Sequence, residues 1–447
     1  MATIAADSGL QTATMGGIRK TRWGIIWLLT LTLFSALTVG GLFSPLQEAA
    51  KAELGITDLQ LGLLAGMATA IPVALLSIPV AWMVDHGTRT RLLAILASLW
   101  ALGTLATAFA TSFEMLFTTR LIAGIGAGTA FPVLISILAD VSPPEKRGRS
   151  MLLVSIGAWG GVAAAFAIGG GVFGYLTRHP DVAILGLPAW RETHLLVGIG
   201  VAVLTIPLFF LKEPARHEVE RTSVSIRDAV RALVNRRKFL GPLLLGQLTG
   251  GLAEGAAAIW MGSLITRQYH QTPGEFGGWV ALIILGSGII GSVIGGFAAD
   301  WCHKLRMRGG ILLPATLATA LTIPAGAFSV MPTAAGFGWM LFALLIGGTI
   351  VNLVCSAAVA VLIPNEDRAV TLAGMKIAST VVAGLVAPPL VVWLTQFNNA
   401  TNGLGVAVAW MGVITGIISL IGFWVAMRNA PRDVAANPDA KVLPAAA

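Results

Sequence analysis

Three ionisable side chains lie inside long apolar stretches of this sequence: Arg120, Glu254 and Lys376. At the centre of a bilayer a charged side chain costs about 2.5 to 3.5 kcal/mol, so each of them needs a cavity, a pairing partner or a route to the head groups. Glu254 has no basic neighbour in its own stretch. It either pairs across a cavity or is held protonated by burial, and a buried carboxyl group of that kind can take part in proton exchange.

Arg120 and Lys376 each have a second interpretation. Arg120 lies in the outer half of its stretch, where a structural pair or an extension toward the membrane surface would satisfy its charge, and Lys376 can extend toward the inner head groups. Polar and aromatic residues near these positions either face a pathway or pack between helices. These residues are Gln247, Asn352, Trp159 and Trp260.

The stretches that carry these residues are long enough to cross lipid. The chain of 447 residues is 56% hydrophobic and 11% charged, which a soluble domain of ordinary composition does not reach. A membrane helix needs about 20 apolar residues. Runs of that length predict an all-α membrane protein with twelve transmembrane helices, near residues 23–43, 60–84, 92–110, 115–138, 151–175, 195–211, 240–264, 277–298, 311–331, 336–361, 371–394 and 404–427.

Basic residues fall mainly in alternate loops between these runs. Placing Arg19, Lys20 and Arg22 in the cytoplasm puts most other loop cations on the same side, which satisfies the positive-inside rule. The opposite loops hold few, namely Lys51, Arg178, Arg191 and Arg267. We therefore expect a multi-pass protein of the bacterial inner membrane with both termini in the cytoplasm. The net charge of +8 reflects this topology, and we expect no nucleic-acid partner.

A polar stretch in the middle divides the runs into six and six. We expect cytoplasmic tails at residues 1–20 and 429–447, six-helix bundles at 21–212 and 239–428, and a linker at 213–238. Within the linker, the spacing of Val230, Leu233 and Val234 predicts an amphipathic helix against the lipid head groups. That helix is either a plain connector or a regulatory segment.

The two halves also repeat each other. Asp85 follows the second run and Asp300 follows the eighth, while the segment that ends at Arg147 is similar to the one that ends at Arg368. Both pairs are displaced along the chain by nearly the same interval. This displacement indicates duplication, and transporter folds are commonly built from such repeats.

Several motifs together carry a family resemblance. Asp85 and Arg89 occupy the acidic and basic places of a loop motif between the second and third helices, and Gly296 with Asp300 begins a second copy. Arg120 opens a glycine-rich fourth-helix motif, RLIAGIGAG, which is followed downstream by Asp140 and Arg147. With these motifs the sequence resembles the major facilitator superfamily over nearly its whole length. Within it, IPVALLSIPVAWMVD, Trp100 and PPEKRGR resemble Spinster-like and organic anion-transporting members.

The resemblance implies a pair of gates on the cytoplasmic side. It places Asp85 at the start of the eleventh helix near Thr371, where its charge would meet the positive end of the helix dipole, and pairs Arg89 with Asp140. Asp300, beside the start of the fifth helix near Met151, would be the symmetry mate. Arg147 and Arg368 would support the two clusters. Such contacts would bridge the two bundles while the cytoplasmic side is closed.

These observations predict a secondary transporter, a symporter or a facilitator, that moves a small organic or amphiphilic anion by alternating access. Glu254 is the candidate for coupling to protons, with Arg120 and Lys376 as candidates for binding the anion. The alternatives are an efflux carrier of hydrophobic compounds and, in a different class, a receptor that transports nothing. The sequence has no catalytic triad, metal-ligand cluster or nucleotide motif, so we expect no enzyme activity, metal or cofactor, and a monomer.

Overall fold

The computed structural model describes residues 21–216, 234, 236–304, 307–398 and 402–431. Its described part contains twelve helices long and apolar enough to cross a membrane, which confirms the predicted number. They are α1 (Trp23–Leu54), α2 (Asp58–His86), α3 (Arg89–Thr107), α4 (Phe113–Val141), α5 (Pro144–Arg178), α6 (Ala189–Phe209), α7 (Arg237–Tyr269), α8 (Pro273–Cys302), α9 (Gly310–Val330), α10 (Ala334–Leu362), α11 (Val370–Thr395) and α12 (Gly403–Asn429).

Helix α1 is much longer than predicted. Its first part, Trp23–Gly41, is apolar, and a second part, Phe43–Leu54, continues it with the sequence FSPLQEAAKAEL. The polar composition of the second part predicts the end of a membrane span, not the end of a helix. Leu42 between the parts keeps helical dihedral angles, so the chain continues as one long helix to the αL cap at Gly55.

Three other helices are interrupted within the bundle. Helix α2 contains a π-helical turn at Leu63–Met67. Helix α9 is α-helical only over Leu313–Thr322 and continues as a 3₁₀ segment, Pro324–Val330. Helix α11 belongs to a longer helix that begins at Asn365 and ends at Leu385, and it resumes as Ala387–Thr395, where two prolines supply no backbone N–H. Breaks of this kind leave oxygen atoms inside a membrane protein without their usual hydrogen-bond partners in the helix.

The chain packs as an N-terminal half, α1–α6, and a C-terminal half, α7–α12. Within the N-terminal half, α1 packs on α5 and α3 on α4, and within the C-terminal half α7 packs on α12 and α8 on α10. Each half has its own buried apolar cluster. A third cluster contains residues of both halves, among them Phe43 and Trp260. The halves are therefore two units joined by a shared apolar contact.

An even number of spans brings the start of α1 and the end of α12 to one face. This face carries Arg89, Arg147, Lys304 and Arg428, and we call it the basic face. The opposite face carries Lys51, Arg178, Arg191 and Arg267. The predicted tail at residues 1–20, nearly all of the predicted tail at 429–447, and most of the linker, with Val230 and Leu233 of the predicted amphipathic helix, lie outside the described residues.

Candidate functional site

A cavity of about 680 Å³ lies between the two halves. Its polar and charged lining comes from the C-terminal half. In α7 the lining residues Gln247, Gly251 and Glu254 recur at helical spacing, and further stripes of this spacing run along α10 and α11. The polar lining residues are Gln247, Glu254, Ser292, Thr349, Asn352, Ser356, Lys376, Ser379 and Thr380.

The N-terminal half faces this polar surface with an apolar one. Its described lining residues are Phe131 on α4 and Trp159 and Val162 on α5. The cavity therefore has one wall that offers hydrogen bonds and charge, and another that offers aromatic and aliphatic contact. Such a division suits a small molecule with a polar head and an apolar body.

Lys376 and Glu254 are the charged groups of the described lining. Lys376 is exposed to the cavity, and no carboxylate of the described residues lies within ion-pair distance of its Nζ. Glu254 lies against α10, where a Cβ at Gly348 would collide with its carboxylate. The glycine at position 348 thus makes room for the acidic side chain inside the bundle.

Several polar lining atoms retain hydrogen-bonding capacity. Oε1 of Gln247 and Oγ of Ser379 are buried and have no hydrogen-bond partner among the described residues. The side-chain amide nitrogen of Asn352 donates to the Gly348 carbonyl at 3.1 Å, which leaves the side-chain oxygen Oδ1 of Asn352 available. Buried polar atoms in proteins are nearly always paired, so unpaired atoms in a cavity mark positions for ligand or water contacts.

Two residues predicted for the site lie elsewhere. Arg120 is buried in the N-terminal half, where Nη2 donates to the Gly40 carbonyl at 3.3 Å and the guanidinium lies 5.0 Å from the centre of the Phe43 ring. Trp260 is fully buried and packs near Gly62. Neither residue lines the cavity. A carbonyl and an aromatic ring contact the Arg120 guanidinium from its own half, which is the structural alternative for this residue, while its Nε is buried without a hydrogen-bond partner among the described residues.

On the basic face, Arg89 and Asp140 form the pair that the resemblance implied, and both side chains are buried. Arg89 also donates to Oε1 of Glu213 at 2.7 Å and to the Pro214 carbonyl at 3.2 Å. The segment after α6 is thereby fastened to α3. The sequence analysis did not predict a role for Glu213, because an acidic residue just after a membrane span is typical of an ordinary linker.

Two residues of α3 donate hydrogen bonds to the Glu213 carboxylate. Partial burial by itself raises the pKa of Glu213, but the hydrogen bonds from the Thr90 amide and from Arg89, with the charge of Arg89, outweigh it. The net effect is a pKa below the usual range for this carboxyl group. Glu213 is therefore held in its charged form.

Two other predicted gating residues, Asp85 and Asp300, make no contact between the halves among the residues that the structure describes. The Asp85 side chain is exposed, and its backbone carbonyl accepts from Arg216 at 2.5 Å. Asp300 is exposed as well. Arg147 and Arg368 donate to carbonyls of their own halves, those of Ala139 and Ile363. The expected contacts of Asp85 with α11 and of Asp300 with α5 are not among those of the described residues, so their gating role remains a prediction for another conformation.

An ionic network joins the halves at the opposite face. Arg267 on α7 donates to Glu48 at 2.8 and 3.0 Å and to Asp58 at 2.6 and 2.9 Å, and Lys51 pairs with Asp58 at 2.5 Å. We call these four residues the outer latch. The sequence analysis did not predict it because each residue lies at the edge of an apolar run, although Lys51 and Arg267 are two of the few cations on that side.

Close backbone contacts reinforce this closure. A Cβ at Gly170 on α5 would collide with the carbonyl of Pro273 on α8, and one at Gly384 on α11 would lie 2.9 Å from the Gly66 carbonyl oxygen on α2. All four positions lie on the outer side of the cavity. The halves thus approach closely on this side of the cavity, and the cavity lining extends toward the basic face as far as Ser356 and Leu372.

Comparison with known proteins agrees with this architecture. The sequence profile of the Major Facilitator Superfamily matches residues 28–369. The chain belongs to this superfamily. It is therefore a multi-pass membrane transporter and not an enzyme, with a likeness to Spinster-type members.

Individual relatives cover most of the chain. A probable sulfoacetate transporter from Cupriavidus necator is 26% identical over 320 residues, 68% of this chain and 71% of that protein. An efflux pump of the same superfamily from Mycolicibacterium smegmatis is 24% identical over 398 residues, 88% of this chain and 89% of the pump. The solved structure of a bacterial Spinster homologue, inward-facing and unoccupied, superimposes with a TM-score of 0.77 at 18% identity, covering 93% of this chain and 98% of the homologue.

Proposed function

We propose that this transporter moves a small organic anion across the bacterial inner membrane by alternating access. The observation that carries the proposal is the two-walled cavity between the halves. Lys376 enters it as a positive charge with no described carboxylate within ion-pair distance, and Phe131 and Trp159 face it from the other half. A molecule with a carboxylate or sulfonate and a short organic body would satisfy both walls.

In the same proposal the basic face is cytoplasmic, and the described conformation is open inward. Arg267, Glu48 and Asp58 close the periplasmic side. Substrate leaves toward the cytoplasm from this conformation, and resetting of the halves then requires the latch to open and the predicted contacts of Asp85 and Asp300 to form. Such an exchange needs only a small bias, since each ionic contact contributes on the order of 0.3 to 2 kcal/mol.

Uptake into vesicles tests the substrate class. The protein is reconstituted into liposomes and supplied with short sulfonates and carboxylates. Sulfoacetate is among them, because one relative is a probable sulfoacetate transporter. Lys376→Gln should lower the apparent affinity for the transported anion at least tenfold, since it removes the unpaired positive charge. Lys304→Gln, a change of the same chemistry on the basic face, serves as the control. Equal affinities in both variants would remove Lys376 from anion binding.

In this proposal Glu254, the acidic residue of the described cavity lining, couples transport to protons. A carboxyl group that alternates between water-accessible and enclosed surroundings binds and releases a proton as its environment changes. With an inward proton gradient, the parent protein should accumulate the anion and Glu254→Gln should only equilibrate it. Accumulation that responds to pH equally in both would exclude this role.

Efflux of hydrophobic compounds is the competing transport function, and one relative, an efflux pump, is similar across most of the chain. The apolar share of the lining is compatible with either substrate. Inside-out and right-side-out vesicles separate the two functions, because an efflux carrier moves dye-like apolar compounds and is insensitive to Lys376→Gln. A receptor would bind its ligand without accumulating it in either orientation.

A further inference from the structure

A second, smaller cavity lies inside the C-terminal half and shares Glu254 with the large one. Its volume is about 30 Å³, which is room for roughly two water-sized particles. Glu254 lines both cavities. The small cavity is otherwise formed by α7, α9, α10 and α12, and we call it the side pocket. Its lining residues are Gly250, Ala253, Glu254, Thr319, Thr322, Ile323, Leu344, Gly347, Gly348, Val351, Gly412, Gly416 and Ser419.

The polar groups of the side pocket can accept but not donate. Thr319 and Thr322 each donate their hydroxyl proton at 2.8 Å to the carbonyl four residues earlier, and Ser419 donates at 2.7 Å to the Gly246 carbonyl. Each hydroxyl oxygen keeps lone pairs after this donation. Among the described residues of the lining, none has a side-chain nitrogen. The pocket therefore presents oxygen acceptors around one carboxylate.

The pocket also lies where α9 is broken. The α-helical part of α9 ends at Thr322, and the 3₁₀ part begins at Pro324. Glycines bring the polar atoms close to the neighbouring helices, since a Cβ at Gly347 would lie 3.0 Å from Oγ1 of Thr322 and one at Gly250 would lie 3.2 Å from Oγ of Ser419. Discontinuous helices supply coupling-ion sites in other transporters, because the unwound backbone near the middle of the bilayer leaves carbonyl oxygens that can coordinate an ion.

We propose that the side pocket binds a sodium ion. Glu254 neutralises its charge, and the hydroxyl oxygens of Thr319, Thr322 and Ser419 complete its ligands. Hard cations take oxygen ligands, and Mg²⁺ would need several retained waters that this volume does not admit. The site itself does not depend on the identity of the transported molecule.

A sodium ion here would be linked to the proposed function through Glu254. A proton and a sodium ion exclude each other, because the protonated carboxyl group no longer compensates the ionic charge. Lys376, the other charged residue in the lining of the adjoining cavity, opposes the sodium ion unless an anion occupies that cavity. Sodium and anionic substrate would therefore strengthen each other's binding, as thermodynamic linkage requires.

Thermal unfolding of the purified full-length protein tests the site without any substrate. At constant ionic strength, NaCl should raise the melting temperature in a saturable manner relative to potassium and choline chloride. Glu254→Gln and Thr322→Val should weaken the apparent sodium affinity at least tenfold, and Thr322→Ser, which keeps the oxygen, should retain it. Thr415→Val removes a hydroxyl bonded in the same way on α12 but outside the pocket, and should leave the response unchanged.

Equal changes of the melting temperature with sodium, potassium and choline in the parent protein would overturn the proposal. This comparison uses the parent protein alone, so it holds even if a variant fails to fold. A sodium response that survives Glu254→Gln and Thr322→Val would overturn it as well. Failure of anion uptake together with an intact, selective sodium response would count against the proposed function and leave the sodium site standing.

Discussion

Arg267 and Asp58 lie in opposite halves of the protein and pair through two hydrogen bonds, of 2.6 and 2.9 Å. Glu48 binds the same guanidinium from the end of α1. The fork geometry of arginine suits two carboxylates at once, so this contact fixes the halves in direction as well as in distance. Closure at one face and a cavity that extends to the other are two aspects of a single arrangement.

Removing the arginine of the latch should shift this arrangement. With Arg267→Gln, Glu48 and Asp58 of the N-terminal half lose the charged partner that holds them to α7, and we expect the outward-open population to rise by a factor of roughly 5 to 30, equivalent to about 1 to 2 kcal/mol. Spin labels on the outer ends of α2 and α11 would report a longer distance. Arg178→Gln is the matched control, because Arg178 donates to the Gly174 carbonyl of its own helix. Unchanged distances in both variants would exclude the latch as a gate.

The gate on the basic face should respond in the opposite sense. Asp85 is exposed in the described conformation, and we expect it to reach the N-terminal end of α11 only when the basic face closes. Asp85→Asn should therefore favour the conformation that is open at this face, and Asp300→Asn should have the same effect through α5. Labels across the basic face provide the measurement. A shift toward the closed state in either variant would refute the symmetric gate.

The contact between Glu213 and Arg89 makes a prediction about pH. The pKa of Glu213 is lowered in the folded protein, so its ionised form stabilises the fold at pH above the unfolded value of about 4.3. That contribution is lost as the pH falls through the folded value. Because Glu213 is partly solvated, we expect Glu213→Gln to cost about 1 kcal/mol near neutral pH.

The cost should shrink toward zero in acid. Melting temperatures of parent and variant would converge as the pH is lowered below about 4. Glu145→Gln, at an exposed position on the same face, should match the parent throughout. A difference between parent and Glu213→Gln that is independent of pH would show that the side chain acts through packing alone.

The sequence predicted the twelve helices because lipid imposes a length and an apolar composition on every span. It did not predict where α1 ends, since the polar residues of Phe43–Leu54 mark the edge of the bilayer while the helix continues beyond it. The same continuation holds Glu48 and Lys51, so the outer latch was missed with it. A partner in another half of the protein leaves no local pattern.

The candidate site was predicted in part for a related reason. A lone charged residue in an apolar run indicates that its side chain needs a partner or a cavity. It does not indicate which neighbouring helix supplies that partner or cavity. Glu254 and Lys376 proved to line the cavity, together with Gln247, Asn352 and Trp159. The Arg120 guanidinium contacts a carbonyl and an aromatic ring inside the N-terminal half, and the Trp260 ring lies in the apolar cluster that joins the halves. Helix rotation decides between these outcomes, and it is set by packing across the whole bundle.

Covalent locking of the outer latch tests alternating access most directly. Glu48→Cys and Arg267→Cys are combined in a variant without Cys302 and Cys355, and a short bifunctional thiosulfonate joins the two new thiols. We predict that cross-linking stops anion uptake into liposomes, that reduction restores it, and that the reagent does not change the uptake by either single-cysteine variant. Uptake that continues at the parent rate after complete cross-linking would contradict the account.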